Sequence, residues 1–294
     1  MMEPFKQKEF GKRVALDFLL SGTGSSTFII YYLVAIMSNS TLNIEMLLTG
    51  PALIVIGLFI LLSELGRPSN FWRSITNYRT SWMSRGAIFN IVYIAAGLGI
   101  LLAHETGLNY LLPWISVAGL ICALLVLVYP AMLLYDVKDI PVWNSNSTIA
   151  ITLLFALTGG GAATLAMSAA IQYFMISEIL RIMLVLELVL ALSEALYVIE
   201  LKGLVNKKKA VKASFKAMQN GRWLYNTLLL GTAVPAALYL ASMFLTGDAQ
   251  ELIAIIGAVL TLYGTYGFRL MLLNMGYHEP LVSEKIISAK GLLD

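Results

Sequence analysis

The sequence predicts an all-α integral membrane protein of eight transmembrane helices. Three observations predict it: the chain is 59% hydrophobic and only 13% charged, its apolar residues gather into runs of membrane-crossing length, and its basic residues are confined to alternate connections. An ordinary soluble domain carries about 25% charged residues. A core this apolar in water would leave too few charges to coat its surface, and lipid is the solvent that removes the problem. A helix needs about 20 mostly apolar residues to cross a bilayer, so eight of them use roughly 160, which fits within 294.

The runs fall at about 14–37, 46–65, 84–104, 112–135, 148–172, 175–199, 223–245 and 250–273. Residues 1–13 (MMEPFKQKEFGKR) read as an N-terminal interfacial segment, expected as a short amphipathic helix along the surface, ahead of a transmembrane domain at 14–294. A basic start before an apolar run has the outline of a signal peptide. No A-x-A-like cleavage site follows, however, and the run continues to Met37, so it reads as an uncleaved first span.

Charge sets the orientation, because Lys and Arg are retained in cytoplasmic loops. One side of the membrane receives the N-terminus, the loop after span two, Lys138, the long loop after span six and the C-terminal tail. Those segments hold all but two of the 20 basic residues, and the exceptions, Arg181 and Arg269, lie within spans. One missed or invented helix would scramble this split. It predicts a multi-pass protein with both termini cytoplasmic; the membrane expected is the inner membrane of a prokaryote.

Spans one and five carry small-residue segments, SGTGSST at 21–27 and TGGGAAT at 158–164. Small residues let helix backbones approach closely. The alternative is an unwound stretch lining a substrate site, as in transporters. Both segments open a four-span half, although residue-level similarity between the halves is too weak to establish a repeat.

Ionisable groups inside lipid are expensive and mark function by default. Asp17, Glu64, Glu178, Arg181, Glu187, Glu194 and Arg269 qualify. Glu178 and Arg181 are three apart on span six, which puts them on one face within reach of mutual neutralisation. Glu187 and Glu194, seven apart, share another face. A buried pair of this kind reads either as a protonatable path or as a structural pair satisfied by Arg269 and other polar groups. Because spans alternate in direction, Asp17, Glu64, Tyr129, Tyr135, Glu194 and Arg269 sit toward the basic side, with Glu178 and Arg181 toward the other.

Several functions are excluded. His104 and His278 fall at opposite ends of spans, about 30 Å apart, and cannot both ligate one haem. No lysine lies within a span for a retinal Schiff base. There is no GxxxxGK[ST] phosphate loop. Cys122 is the only cysteine and reads as a packing residue, so the chain holds no iron–sulfur cluster, and no metal site is expected.

The segment SELGRPSNFWRSITNYRTSWMSRGAIFN at 63–90 interleaves Arg67, Arg73, Arg79 and Arg85 with Phe71, Trp72, Tyr78 and Trp82. It reads either as a basic loop with an aromatic anchor or as a docking platform for an acidic partner beside a ligand site. Its LGRPSNFWR and NYRTSWMSRGA runs resemble the signature loop of the polysulfide reductase membrane-subunit family, the NrfD-type group related to the dimethyl sulfoxide reductase anchor. IPVWNSN at 140–146 is similar to that family's P-x-W-N loop, and GFRLMLLNMG at 267–276 to its final-helix arginine segment.

The resemblance implies two packed four-helix bundles and a quinone-reactive subunit binding menaquinone or ubiquinone. It implies exchange of electrons with an iron–sulfur subunit, which serves a catalytic subunit, often a molybdenum enzyme. No nucleic acid is expected. A family tyrosine upstream of the P-x-W-N loop matches Tyr129 best and Tyr135 second. Glu64 occupies the position before LGRP, and Asp17 is the polar residue early in span one. Arg67 would shape the quinone site. Arg73, Arg79, Trp82 and Arg85 would hold the partner, and Glu187, Glu194, Arg269, Glu178 and Arg181 would extend a proton path. The best-known relatives place this loop outside, whereas the charge split here puts it, and the partner, on the cytoplasmic face. The competing expectation is a proton-coupled secondary transporter with its site at broken spans one and five.

Overall fold

The computed structural model describes residues 3–63, 77–171, 176–220 and 222–279. The chain is nearly all helix. The helices are α1 (Lys12–Met37), α2 (Ile44–Leu62), α3 (Trp82–Glu105), α4 (Leu112–Tyr135), α5 (Asn146–Ala170), α6 (Ile176–Leu204), α7 (Lys209–Asn220), α8 (Val234–Ser242) and α9 (Asp248–Asn274). A π-helical segment, Leu224–Ala233, runs directly into α8. Two short strands, β1 (Phe5–Lys6) and β2 (Tyr277–His278), pair antiparallel and bring the two ends of the chain together.

Local chemistry explains where the helices start. The Asn43 side chain accepts the Met46 amide at the head of α2, Ser81 accepts that of Ser84 at α3, and Ser145 caps α5. Each satisfies a backbone donor that a helix start leaves open. Pro51 and Pro130 lie inside α2 and α4, as membrane helices tolerate. Gly247, at φ 63°, supplies the left-handed residue that turns the chain into α9.

Among the described residues seven helices are long and apolar enough to cross a bilayer, and an eighth crossing is reached when α7 and the π/α8 segment count as one bent span. The bend is 65°. α7 was not anticipated as a helix. It buries Ala210, Val211, Ser214 and Met218 and exposes its lysines, which is the pattern of a helix lying in the membrane interface.

α1 is the hub. It packs on α2, α4 and α5 and touches α9. α3 lies against α2 and α4, and α5 packs against α6 and α9. The α1–α5 crossing is made by the two small-residue segments. Any Cβ on Gly160 would overlap Ser26, one on Gly159 would sit 2.9 Å from Thr23 Oγ1, and one on Gly22 3.0 Å from Ala156 Cβ. Thr27 Oγ1 donates to the Gly160 carbonyl at 3.3 Å across the seam.

Three expectations are corrected. Residues 21–27 and 158–164 stay helical within α1 and α5. The unwound segments of the transporter alternative are therefore not formed, because the small residues are consumed in backbone-to-backbone packing. The N-terminal segment before Lys12 forms β1 rather than a surface helix. The chain end diverts its polar groups: Gln7 N–H donates to the Gly276 carbonyl at 2.9 Å, and Gln7 Nε2 to the Leu273 carbonyl at 3.0 Å. Glu178 and Arg181 form no ion pair among the described residues. Glu178 accepts from Ser177 Oγ at 2.9 Å, and Arg181 is exposed.

Candidate functional site

Asp17 and Tyr129 are brought together by two glycines. On α3, Gly86, Asn90, Tyr93 and Gly97 recur at helical spacing and are all buried, with Gly86 against Tyr129 of α4, the Tyr93 hydroxyl reaching α1 and Gly97 against Pro51 of α2. A Cβ on Gly86 would overlap the Tyr129 ring. Only glycine lets that ring lie on the α3 backbone. On α2, a Cβ at Gly57 would stand 3.1 Å from Asp17 Oδ1, so this glycine leaves room for the carboxylate. The Tyr129 hydroxyl then donates to Asp17 Oδ2 at 3.3 Å, and the ring meets Phe18 edge-on.

These two residues and Asn90 are the buried polar groups of a cavity of about 300 Å³ between α1, α2, α3 and α4. Its walls are apolar, among them Phe10, Phe18, Leu58, Met83 and Leu133, with exposed Glu9 at its edge. Asp17 Oδ1 and Asn90 Oδ1 are buried without hydrogen-bond partners. Buried polar atoms are nearly always satisfied, so both are acceptors available to a ligand carrying donor groups.

Arg269 of α9 lies next to this site. It is 2% exposed, and its Nη2 donates to the Thr152 carbonyl at 3.2 Å. Nε and Nη1 have no partner, and Gly22 leaves the space the guanidinium fills. Farther on, Glu187 and Glu194 are both 0% exposed on the inner face of α6. Thr261 Oγ1 donates to Glu187 Oε1 at 2.7 Å and lies 3.0 Å from the Tyr239 hydroxyl. Glu187 Oε2 and both Glu194 oxygens lack partners. The structure thus places two buried carboxylates on one stripe, with no cation hydrogen-bonded to either among the described residues.

Other predicted residues fall elsewhere. Tyr135, at the end of α4, does not line the cavity; its carbonyl accepts from Asn144 Nδ2 at 2.6 Å. Arg85, in the first turn of α3, is engaged with the turn that precedes the helix. Its Nε donates to the Tyr78 carbonyl at 2.9 Å, its Nη2 to that of Arg79 at 2.7 Å, and its guanidinium stacks 4.7 Å from the Trp82 ring. Arg79 and Tyr78 are exposed beside it. Glu64, Arg67 and Arg73 lie outside the described residues.

Sequence reasoning missed Asn90, Thr261, Tyr239 and Trp143. The Gly86–Asn90–Tyr93–Gly97 spacing signals Asn90. Nothing local singles out Thr261 or Tyr239, whose significance lies in what they touch. Trp143, in the PVWN segment, donates its Nε1 to the Leu272 carbonyl at 2.8 Å and packs over Gly276. It thereby pins the α4–α5 connection to the end of α9.

The chain matches the family model described as polysulphide reductase, NrfD, over residues 9–280. It belongs to the polysulphide reductase NrfD family. The match begins at Glu9, on the cavity's edge, and takes in every helix described above. No curated protein matches the chain. As an NrfD-family protein the chain is a multi-pass membrane subunit of a redox enzyme complex.

Proposed function

We propose that this NrfD-family subunit exchanges electrons between a membrane quinone and an iron–sulfur subunit docked on its basic, cytoplasmic face, in a complex that also holds a catalytic subunit. The observation that carries the reading is the Asp17–Tyr129 pair among the walls of an apolar cavity of about 300 Å³. Ligand pockets are typically apolar, with a few placed polar groups, and begin at about this size. The residues fit a quinone head group: flat apolar walls for the ring, and a hydroxyl, a carboxylate and an amide for its oxygens. A bound quinone supplies two-electron chemistry coupled to two protons.

The chain's own groups handle those protons. Tyr129 presents its hydroxyl and Asp17 its unpartnered Oδ1 to the cavity. Arg269 holds positive charge beside them. Phe18 packs edge-on against the Tyr129 ring and Phe10 lines the cavity beside Glu9. Glu194 and Glu187 lie seven residues apart, about 10.5 Å along α6, and extend a line of proton-accepting oxygens from the level of Arg269 toward Thr261 and Tyr239. This line is the basis for proposing that quinone turnover moves protons.

The exposed Tyr78–Arg79 turn immediately precedes α3, the helix that carries Asn90 into the cavity. A partner seated there stands one helix end away from the quinone. Gentle purification tests the reading: a quinone and an iron–sulfur subunit are expected to co-purify. A chain that isolates alone and binds no added menaquinone or ubiquinone overturns it.

A further inference from the structure

A second cavity, of about 580 Å³, opens between α7, the π-helical segment and α9, with Lys6 and Tyr277 of the strand pair contributing to its wall. The quinone reading makes no use of it, and it shares no residue with the first cavity. Among the described residues no carboxylate lines it. Its polar groups include the Lys6 ammonium, the amides of Asn220 and Asn274, and the Tyr277 hydroxyl. We propose that this cavity binds the phosphate head group of an anionic phospholipid from the leaflet on the basic face, with Lys6 as the charge that holds it.

Three observations support the assignment. Lys6 Nζ donates to a neutral acceptor, Asn274 Oδ1, at 2.8 Å, and no ion pair balances its charge among the described residues. Trp223, in the same wall, is buried with its Nε1–H lacking an acceptor. The cavity also has the gradient of a phospholipid. Asn274, Leu270, Gly267 and Tyr263 recur at helical spacing along α9, about 16 Å from the interface inward. The Lys6 ammonium and the Asn220 and Asn274 amides lie at the outer end, Leu270, Met271 and the Tyr263 ring line the deeper part, and Asn226 and Thr227 of the π-helical segment are further neutral polar groups in the wall.

α7 strengthens the case. It has the amphipathic pattern of an interfacial helix, with Lys212 and Lys216 exposed, the latter one turn before Asn220. Basic residues at this level attract anionic lipid, each by about fivefold in affinity. The helix therefore gathers the lipid class the cavity is built to hold.

The test titrates the detergent-purified full-length chain with phosphatidylglycerol, phosphatidylethanolamine and glycerol 3-phosphate, read by native mass spectrometry. Phosphatidylglycerol is expected to bind more tightly than phosphatidylethanolamine. Lys6→Ala should weaken phosphatidylglycerol about fivefold, and Lys138→Ala, an equal charge loss on the same face away from the cavity, should leave it unchanged. Gly267→Leu should remove binding, since a Cβ there meets only Thr227 Oγ1, at 3.7 Å, and the longer side chain fills the cavity. Equal effects of Lys6→Ala and Lys138→Ala, or equal affinity for the two lipids, would overturn the proposal. Wild-type affinity in a folded Gly267→Leu chain would do the same. Competition by glycerol 3-phosphate at the lipid's own concentration would reassign the site to a soluble phosphate compound.

Discussion

The Tyr129 hydroxyl donates to Asp17 Oδ2 at 3.3 Å, joining residues 112 apart in the chain at the α1–α4 contact. The contact forms only because Gly86 and Gly57 withdraw their side chains from the two places the ring and the carboxylate occupy. In lipid, where no water competes, such a pair defines where a ligand with hydrogen-bonding oxygens can lodge.

The pair should be needed for quinone turnover. Tyr129→Phe keeps the ring and removes the hydroxyl, and Asp17→Asn keeps the shape and removes the proton acceptor. Positioned acid–base groups contribute about 10²–10⁴-fold in rate. Each substitution is expected to lower electron transfer between quinone and the assembled complex by about 10²-fold or more, in stopped-flow assays at saturating quinone. Wild-type rates in both variants would remove the pair from the reaction.

Gly86→Ala should damage the site without altering any polar group. Its methyl group would occupy the space of the Tyr129 ring, and overpacking costs about 1–3 kcal/mol. The expected outcome is a lower melting temperature together with weaker quinone binding by equilibrium titration. Unchanged binding would mean that the ring position does not matter to the ligand.

Gly160→Ala addresses the α1–α5 seam. The added Cβ meets Ser26 and the α1 backbone, which cannot move aside as a flexible side chain would. A loss of about 1–3 kcal/mol is expected, read as an earlier unfolding transition in detergent. Gly203→Ala, where nothing lies within 4 Å of the new atom, should leave the transition in place.

Glu187→Gln removes a titrating group from the stripe and retains the capacity to accept from Thr261. In proteoliposomes containing the whole complex, fewer protons should move per electron than in the wild type. An unchanged ratio would show that the stripe is structural.

Much of the candidate site's composition was legible before folding. The cost of a carboxylate in lipid singled out Asp17, Glu187 and Glu194, and the positive-inside split placed Asp17 and Tyr129 at the same depth. The PVWN and GRP runs pointed to the family. Glu178 and Arg181 show the limit of that logic: three-residue spacing permits an ion pair, but each side chain has another environment available, and here the pair is not made. Tyr135 shows another limit. It lies six residues from Tyr129, about 9 Å along the helix, on the same basic side, and only the packing of α3 on α4 decides which ring enters the cavity.

The sequence by itself determined that this chain is a multi-pass helical membrane protein of the NrfD type, because hydropathy, charge asymmetry and short motifs are local properties that survive without coordinates. Only the tertiary structure decided which polar atoms meet. Asn90 beside Tyr129, Thr261 on Glu187 and Lys6 on Asn274 are contacts between distant segments, set by helix rotation and by glycines that admit a neighbour's side chain. The glycines can be seen in the sequence, but which side chain each admits cannot, because that neighbour comes from a distant segment. The small-residue segments make the same point: their composition permits either an unwound site or a tight crossing, and the fit of α1 against α5 selects the crossing.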